Sequence, residues 1–351
     1  MLREAAGLEL TPVGDALCVF RPATGALGLL NAAGRATWEV CQDDALLQLP
    51  AKPGPAVQQD FSVPQCFYYP QATDAASTEF YLTSASGRTV HLRVHVRWLG
   101  ELLAAVVVPL TVAALGQPAA ILDVVQRADR FDIWLNGTLL HSSISPAEIR
   151  RQVLTEIALT LIGSDRVAAI LHACAVDFGS GAVLLAGRSG VGKSTLTAAL
   201  VSAGGDYLGD DLVPLDRAGR AVHPFPTALS VKSGSWQQVA GWFPALDELP
   251  IHRIRDLAVR YLPLAGSRCA KANCVKTIIF PSFEPRAEFA VHQLAPDQSF
   301  ALLVDAGSAI AGSPASARPL AELAETTPAW HITYGDLGPS LQAILSIARA
   351  P

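Results

Sequence analysis

The sequence predicts an α/β fold in which a larger C-terminal domain follows a smaller α+β region. An apolar strand at residues 183–186 runs into a glycine-rich loop and then into a helix at residues 195–202, a strand–loop–helix order typical of α/β domains. A proline-rich polar stretch at residues 50–60 separates a short N-terminal segment from the rest. At 351 residues the chain is too long for one ordinary domain, so we expect two or three.

The composition disfavours several classes of protein. Half of the residues are hydrophobic, the net charge is −5, and no long basic run is present, so we expect no nucleic-acid partner. Six cysteines are scattered without a CxxC pair, which indicates free thiols in a reducing compartment. Cys269 and Cys274 leave half of a metal site as an open alternative, although no partner pair has ligand spacing.

One apolar segment, residues 102–115, is a candidate for a membrane span. It carries no charge, but at 14 residues it is shorter than the roughly 20 that a spanning helix needs. Pro109 lies inside it and Gly116 follows it, so we interpret it as a buried strand–turn–strand or a core helix. The N-terminus lacks the basic and apolar regions of a secretory signal. We therefore expect a cytoplasmic protein with no membrane partner.

Residues 1–48 predict a hairpin and a helix. Residues 16–20 and 27–30 form two short strands around a turn at 22–25, and Asn31 is a plausible N-cap for the helix that follows. Because prolines separate this segment from the rest, we expect it to be detachable.

Residues 61–144 predict an α+β domain. Within it, residues 89–96 alternate apolar and polar side chains, as in a half-buried strand. Residues 131–135 predict a strand that runs into an Asn136-Gly137 hairpin turn.

The third segment, residues 145–351, begins with a helix. Ser145, Pro146 and Glu148 are typical of a helix start, and the helix is expected to end before Gly163. Strands at residues 167–178 and 182–186 follow, joined by a Gly-Ser-Gly turn. Residues 305–318 are small and polar, as in a mobile loop or lid.

A phosphate-binding loop is the strongest motif in the chain. It fits the pattern G-x-x-x-x-G-K-[ST] and consists of Gly187, Arg188, Ser189, Gly190, Val191, Gly192, Lys193 and Ser194, with Thr195 next. Its backbone N–H groups and the following helix N-terminus attract phosphate oxygens. We expect Lys193 to reach the β- and γ-phosphates of ATP and the Ser194 hydroxyl to bind Mg²⁺.

Two acidic residues follow at a spacing that suits the same site. Asp210 and Asp211 come directly after a short apolar strand, one strand beyond the loop and its helix. One carboxylate suffices to bind Mg²⁺, so the second is free to take a proton from an attacking hydroxyl. His172 lies in an apolar strand before the loop; on residues alone, a core histidine and a site histidine are both open.

The run from Leu171-His172 through the loop to Leu208-Gly209-Asp210-Asp211-Leu212-Val213 resembles the bacterial HPr kinase/phosphorylase family. It is similar above all to the HPr-kinase-related branch found beside peptide-modification genes. The resemblance covers about residues 145–351 and implies an HPr kinase/PEP carboxykinase-like fold. It also implies phosphorylation of a serine hydroxyl on a protein or peptide, with His172 orienting the reacting groups. Asp210 and Asp211 would supply the base and the metal carboxylate, with Asp211 expected at the metal and the assignment left open.

The sequence departs from the HPr enzymes at two points. Thr195 stands where they usually have a glutamate, and their second Arg- and Gly-rich signature is missing. These departures weigh against HPr itself as the substrate and against the reverse phosphorylase reaction. Lys232, Arg255 and Arg260 are candidates for a replacement cation.

Residues 8–46, through the hairpin and the run Leu30-Asn31-Ala32-Ala33-Gly34-Arg35-Ala36-Thr37-Trp38, also resemble the small PqqD-type peptide-recognition domain. That domain binds leader peptides by strand addition. The alternative is a hairpin that caps the next domain. Other functions that the residues leave open are a nucleotide-binding regulatory protein and a small-molecule kinase, since P-loops serve many acceptors. A deep pocket would favour a small acceptor, whereas an open groove would favour a peptide. The acceptor and whether the chain forms a homo-oligomer are left open.

Overall fold

The computed structural model describes residues 7–33, 35, 77–113, 117–254, 257–266 and 271–349, and it is a mixed α/β structure. Within these ranges the α-helices are α1 (Arg97–Val107), α2 (Pro146–Ile162), α3 (Lys193–Ser202), α4 (Trp236–Ala240), α5 (Pro296–Asp305), α6 (Arg318–Thr326) and α7 (Leu337–Arg349). The strands before the P-loop are β1 (Glu9–Val13), β2 (Ala16–Arg21), β3 (Ala26–Leu30), β4 (Thr78–Thr83), β5 (Thr89–Val94), β6 (Ala120–Arg127), β7 (Arg130–Leu135), β8 (Thr138–Ser143), β9 (Val167–Leu171), β10 (Ala173–Asp177) and β11 (Ala182–Ala186). Those after it are β12 (Asp206–Gly209), β13 (Val213–Asp216), β14 (Ala221–Val222), β15 (Leu229–Lys232), β16 (His252–Ile254), β17 (Leu257–Leu262), β18 (Asn273–Phe283), β19 (Ala290–Leu294), β20 (Ala309–Ile310) and β21 (Ala329–Tyr334).

The N-terminal segment forms a three-stranded antiparallel sheet in the order β1-β2-β3. The predicted hairpin is therefore confirmed, with β1 as a strand that the sequence did not reveal. Val13, Cys18 and Phe20 are fully buried in the core that the central sheet forms with α5 and α6. This packing does not fit the expectation that the segment detaches freely, because its removal would expose that core. The helix expected after Asn31 begins in the described residues, and the rest of it, with Trp38, lies outside them.

A five-stranded sheet, β4-β5-β6-β7-β8, forms the second part of the fold. Its hairpin at Asn136-Gly137 has positive φ at both residues (49° and 82°), as a type I′ hairpin turn requires. Helix α1 packs on one face, so the uncharged run at 102–115 contributes to a core helix, and no described helix is long and apolar enough to cross a membrane. Helix α2 begins where Ser145 accepts a hydrogen bond from Glu148 N and ends at Gly163, as the sequence predicts.

The central sheet has ten strands and carries the P-loop. Its main path runs β12-β10-β11-β18-β14-β13-β9-β20, and β21 extends it by pairing with β18 and β19. Strands β11, β18 and β21 are parallel, so their carboxyl ends meet at one edge. Helices α3 and α7 cover one face and α5 and α6 the other, which encloses the apolar side chains of the sheet between two layers.

Two predicted segments differ from the structure. Residues 167–178 form two strands, not one, because β9 pairs with β13 and β20 while β10 pairs with β11 and β12. The chain bends at His172 between them. The segment expected as a loop at 305–318 contains β20, which is paired with β9, and it leads directly into α6.

Cys18, Cys174 and Cys274 are free thiols, and the other three cysteines lie outside the described residues. Cys269 is one of those three, so the half-site that it would form with Cys274 is not described.

Candidate functional site

The P-loop connects the end of β11 to the start of α3. Gly187, Gly190 and Gly192 have φ values of 146°, 99° and 97°, a backbone region that glycine enters without strain. A Cβ atom at Gly192 would lie 2.5 Å from the Tyr334 hydroxyl, so the position also needs a residue without a side chain. The loop can therefore turn its backbone N–H groups inward, as phosphate binding requires.

Lys193 lies beneath this loop and is almost completely buried. Its Nζ donates to the carbonyl oxygens of Gly187 (2.7 Å) and Arg188 (3.2 Å). The ammonium group is thus held inside the ring of loop backbone where phosphate oxygens would enter. The side chains of Ser194 and Thr195 are half-buried at the start of α3.

Asp210 is buried at the end of β12, and both of its carboxylate oxygens have donors. The Cys174 thiol donates to Oδ1 (2.7 Å) and the Ser230 N–H donates to Oδ2 (2.8 Å). Burial, together with the neighbouring charge of Asp211, raises the pKa of Asp210 to about 7. An acid with this pKa can exchange a proton at neutral pH.

Asp211 is the next residue, but its pKa is shifted in the opposite direction. Its φ is 62°, and its side chain is 42% exposed. Desolvation favours the neutral carboxyl, but a hydrogen bond and charge from His172, with the charges of Lys193 and Arg150, outweigh it and lower the pKa to about 2. Asp211 therefore stays ionised at neutral pH and presents an accessible carboxylate.

His172 lies at the bend between β9 and β10, beside both the P-loop and the aspartates. Antiparallel pairing of β10 with β11 places Ala173 opposite Ala186, the last residue before the loop. The His172 Nδ1 lies 2.6 Å from Ala306 O, and its Nε2 lies 3.3 Å from Asp211 Oδ1. A carbonyl and a carboxylate both accept hydrogen bonds, so His172 is positioned between two acceptors.

The two described candidate cations, Lys232 and Arg260, have different partners. Lys232, on β15, donates from Nζ to the Ser189 hydroxyl of the P-loop (2.5 Å). Arg260 instead forms an ion pair with Asp247 and stacks on the Trp236 ring. Its guanidinium is therefore engaged by those two residues. Arg255 lies outside the described residues. Of the two described candidates, only Lys232 contacts the P-loop.

The structure adds residues that the sequence did not single out. Cys174 and Ser230 hold Asp210, and Arg150 on α2 approaches Asp211 closely enough to lower its pKa while donating to the Tyr261 hydroxyl (3.4 Å). Arg188 of the P-loop forms a two-point ion pair with Asp305 at the end of α5. No local motif marks any of these partners.

One large groove is lined by many of these groups, namely Arg150, His172, Lys193, Asp210, Asp211, Ser230 and Lys232. It encloses about 2890 Å³ and extends from the P-loop past Asp210 and Asp211 to α2, β8 and the β2–β3 hairpin. A pocket for one small molecule measures roughly 300–1,000 Å³. The groove is therefore several times larger than a single small acceptor needs.

The site residues suit a Mg²⁺ ion that is also coordinated by phosphate oxygens. Ser194 and Asp211 offer a hydroxyl and an ionised carboxylate in the same groove, and Mg²⁺ is usually bound by one or two carboxylates plus substrate phosphates. Within the described ranges, no group of three His, Cys, Asp or Glu side chains could hold a metal by itself. The donor set thus suits an ion that arrives with a nucleotide.

A scan against protein-family models finds none that matches this chain, and a search among curated proteins finds no match.

Proposed function

We propose that this protein is an ATP-dependent serine kinase that transfers the γ-phosphoryl group to a hydroxyl of a protein or a ribosomally made peptide. The observation that carries the proposal is the convergence of Lys193, Lys232, Asp210 and Asp211 on one groove. Phosphoryl transfer needs cations on the transferring group, a metal carboxylate and a proton acceptor. Each of these roles has a residue of the right charge here.

The two aspartates divide the work according to their environments. Asp210 takes the proton from the attacking hydroxyl, since its pKa of about 7 suits proton exchange. Asp211, ionised and more open, would hold Mg²⁺ together with Ser194, where the bound ion neutralises phosphate charge. His172 holds one Asp211 oxygen and leaves the other for the metal.

The reaction is a direct displacement at phosphorus. The acceptor oxygen forms a bond to the γ-phosphorus while the bond from phosphorus to the β,γ-bridging oxygen breaks, and ADP leaves with that electron pair. Lys193 and Lys232 stabilise the negative charge on the phosphoryl oxygens and on the leaving group. The hydroxyl proton moves to Asp210.

A peptide or protein acceptor suits the groove better than a small molecule. The groove has room for more than a nucleotide and a small acceptor, and residues 25–29 at β3 line it together with residues of the P-loop. Among the described residues, β3 is an edge strand that pairs with β2, and strand addition at such an edge is a common way to bind an extended peptide. A peptide bound there could reach Asp210 along the groove.

The test is transfer of label from [γ-³²P]ATP to peptides with and without serine. We expect Lys193→Ala to abolish tight Mg·ATP binding by calorimetry, because the loop loses the charge that faces the β- and γ-phosphates. Asp211→Asn should retain ATP binding and lose transfer. Lys271→Ala and Asp206→Asn, both at exposed positions away from the groove lining, are the matched controls. Unchanged ATP affinity in Lys193→Ala would refute the proposal.

If wild-type protein binds ATP tightly but labels no peptide or protein, the function is nucleotide-dependent regulation instead. Transfer of label to a small hydroxyl compound in preference to every peptide would point to a small-molecule kinase.

A further inference from the structure

Phe283 is an exposed aromatic residue next to the P-loop. It is the last residue of β18, and its side chain is 47% exposed on the groove wall. A phenyl ring beside a ligand site gains the free energy of burial when an apolar or aromatic part of the ligand covers it. The other exposed phenylalanine of the described chain, Phe289, does not line the groove.

Phe283 is held rigidly against the phosphate-binding loop. Its backbone N–H donates to Val191 O (3.3 Å), and its Cβ lies 3.4 Å from the position that a Cβ at Gly192 would take. Parallel pairing aligns Phe283 with Tyr334, so both residues end their strands at the edge where the P-loop begins. In open α/β sheets, ligands bind at this carboxyl edge.

Tyr334 supports the ring from behind. It is buried, and its ring centroid lies 5.6 Å from that of Phe283 with a tilt of 55° between the planes. One side of Phe283 is therefore packed, and the remaining ring surface is open to the groove. A fixed ring with an open surface offers stacking at little cost in side-chain entropy.

We propose that Phe283, backed by Tyr334, is the stacking platform for the nucleobase of the triphosphate whose phosphates bind at Lys193. The inference rests on the proposed function, because it assumes that a nucleotide occupies the P-loop. The groove that Phe283 lines is also lined by Thr195, in the first turn of α3, whose N-terminus attracts phosphates. The base then continues from the phosphates toward Phe283.

A comparison of two ligands tests the platform separately from the loop. Mg·ATP carries a base, whereas Mg·tripolyphosphate carries the same phosphates without one. By calorimetry, Phe283→Ala should weaken Mg·ATP roughly 10-fold or more while changing Mg·tripolyphosphate by less than about twofold. Phe283→Trp should bind Mg·ATP at least as well as wild type, and Phe289→Ala should match wild type for both ligands.

The Phe283→Leu variant is the control for an effect on folding. Leucine keeps the apolar volume but cannot stack, so this variant should melt with wild type and still bind Mg·ATP weakly. If Phe283→Ala weakens both ligands equally, or weakens neither, the platform is wrong. If wild type binds both ligands with the same affinity, the base has no subsite but the kinase proposal survives. If wild type binds neither, the proposed function and the platform fail together.

Discussion

Asp210 and Asp211 are adjacent residues with opposite electrostatics. The pKa of Asp210 is raised to about 7, mainly by burial, and that of Asp211 is lowered to about 2 through His172. The pair itself could be predicted from the sequence, because it follows a short strand after a P-loop. The difference in pKa could not, because it depends on how deeply tertiary packing buries Asp210 and on His172, which reaches Asp211 from a distant position in the chain.

The raised pKa of Asp210 predicts a pH-dependent effect on stability. In an unfolded chain an aspartate has a pKa near 3.9, so between about pH 4 and pH 7 the folded protein keeps a proton that the unfolded chain has lost. The contribution of Asp210 to the free energy of unfolding therefore falls as pH rises through this window, and it stays low above pH 7. We expect Asp210→Asn, which cannot ionise, to raise Tm by a few °C at pH 8, with the gain disappearing toward pH 4.

Thermal scans of metal-free protein at pH 5 and pH 8 measure this effect. Asp206→Asn, an exposed aspartate at the start of the same strand, is the control and should leave Tm unchanged at both values. A lower Tm for Asp210→Asn at pH 8 would mean that the buried carboxylate is stabilised by its donors more than it is penalised by burial.

Lys232 predicts a kinetic effect of a different kind. It contacts Ser189 from β15, which belongs to a separate three-stranded sheet in the order β15-β17-β16, so removing it leaves Lys193 and the loop backbone in place. Lys232→Met should lower kcat by roughly 10²-fold with little change in the KM for ATP, because a charge on the transferring group acts mainly in the transition state. Lys232→Arg should retain part of the rate, and Lys271→Met should retain all of it. A raised KM with normal kcat would show that Lys232 serves ground-state binding instead.

At the level of elements, helix α2 and the strand break at His172 show what local sequence can and cannot predict. Both ends of α2 are encoded locally, by Ser145 and Glu148 at one end and Gly163 at the other, and both were predicted. The apolar run around His172 contains no local signal for a break. The break arises because β9 and β10 pair with different neighbours within the same sheet, which is a property of tertiary structure.

The bend brings His172 between two elements, and this position predicts the effect of removing it. His172 connects Ala306 O, just after α5, to Asp211, just after β12. His172→Ala should lower kcat by roughly 10-fold or more, since a misplaced carboxylate costs transition-state stabilisation, while ATP affinity stays the same. His292→Ala, an exposed histidine on β19, is the control. A parallel loss of ATP affinity would show that His172 supports the P-loop itself.

At the scale of the whole molecule, the N-terminal sheet packs against the domain that carries the P-loop. A proline-rich linker predicted a separate segment, yet the strands before it share a core with α5 and α6. Glu9 of β1 also accepts hydrogen bonds from Ala317 N and Arg318 N (both 2.9 Å) at the start of α6. A linker in the sequence shows that two segments can be far apart, but complementary apolar faces decide whether they dock, and these faces are not visible in a linear pattern.

This docking predicts that the N-terminal sheet stabilises the P-loop domain. Phe20 is 1% exposed and packs in the core with Phe300 and Leu303, so Phe20→Ala should destabilise the protein by about 3–5 kcal/mol. Glu9→Ala should cost about 1 kcal/mol, because it removes a carboxylate from the N-terminus of α6. Arg21→Ala, at the exposed residue that ends β2, is the control.

Thermal scans with and without Mg·ATP test whether the sheet and the nucleotide site unfold together. Phe20→Ala should melt earlier in one transition whose temperature ATP still raises, because the same cooperative unit contains the nucleotide site. If Phe20→Ala produces a separate early transition and the ATP-sensitive transition stays at the wild-type temperature, the N-terminal sheet is an independent unit and its buried face contributes nothing to the stability of the P-loop domain.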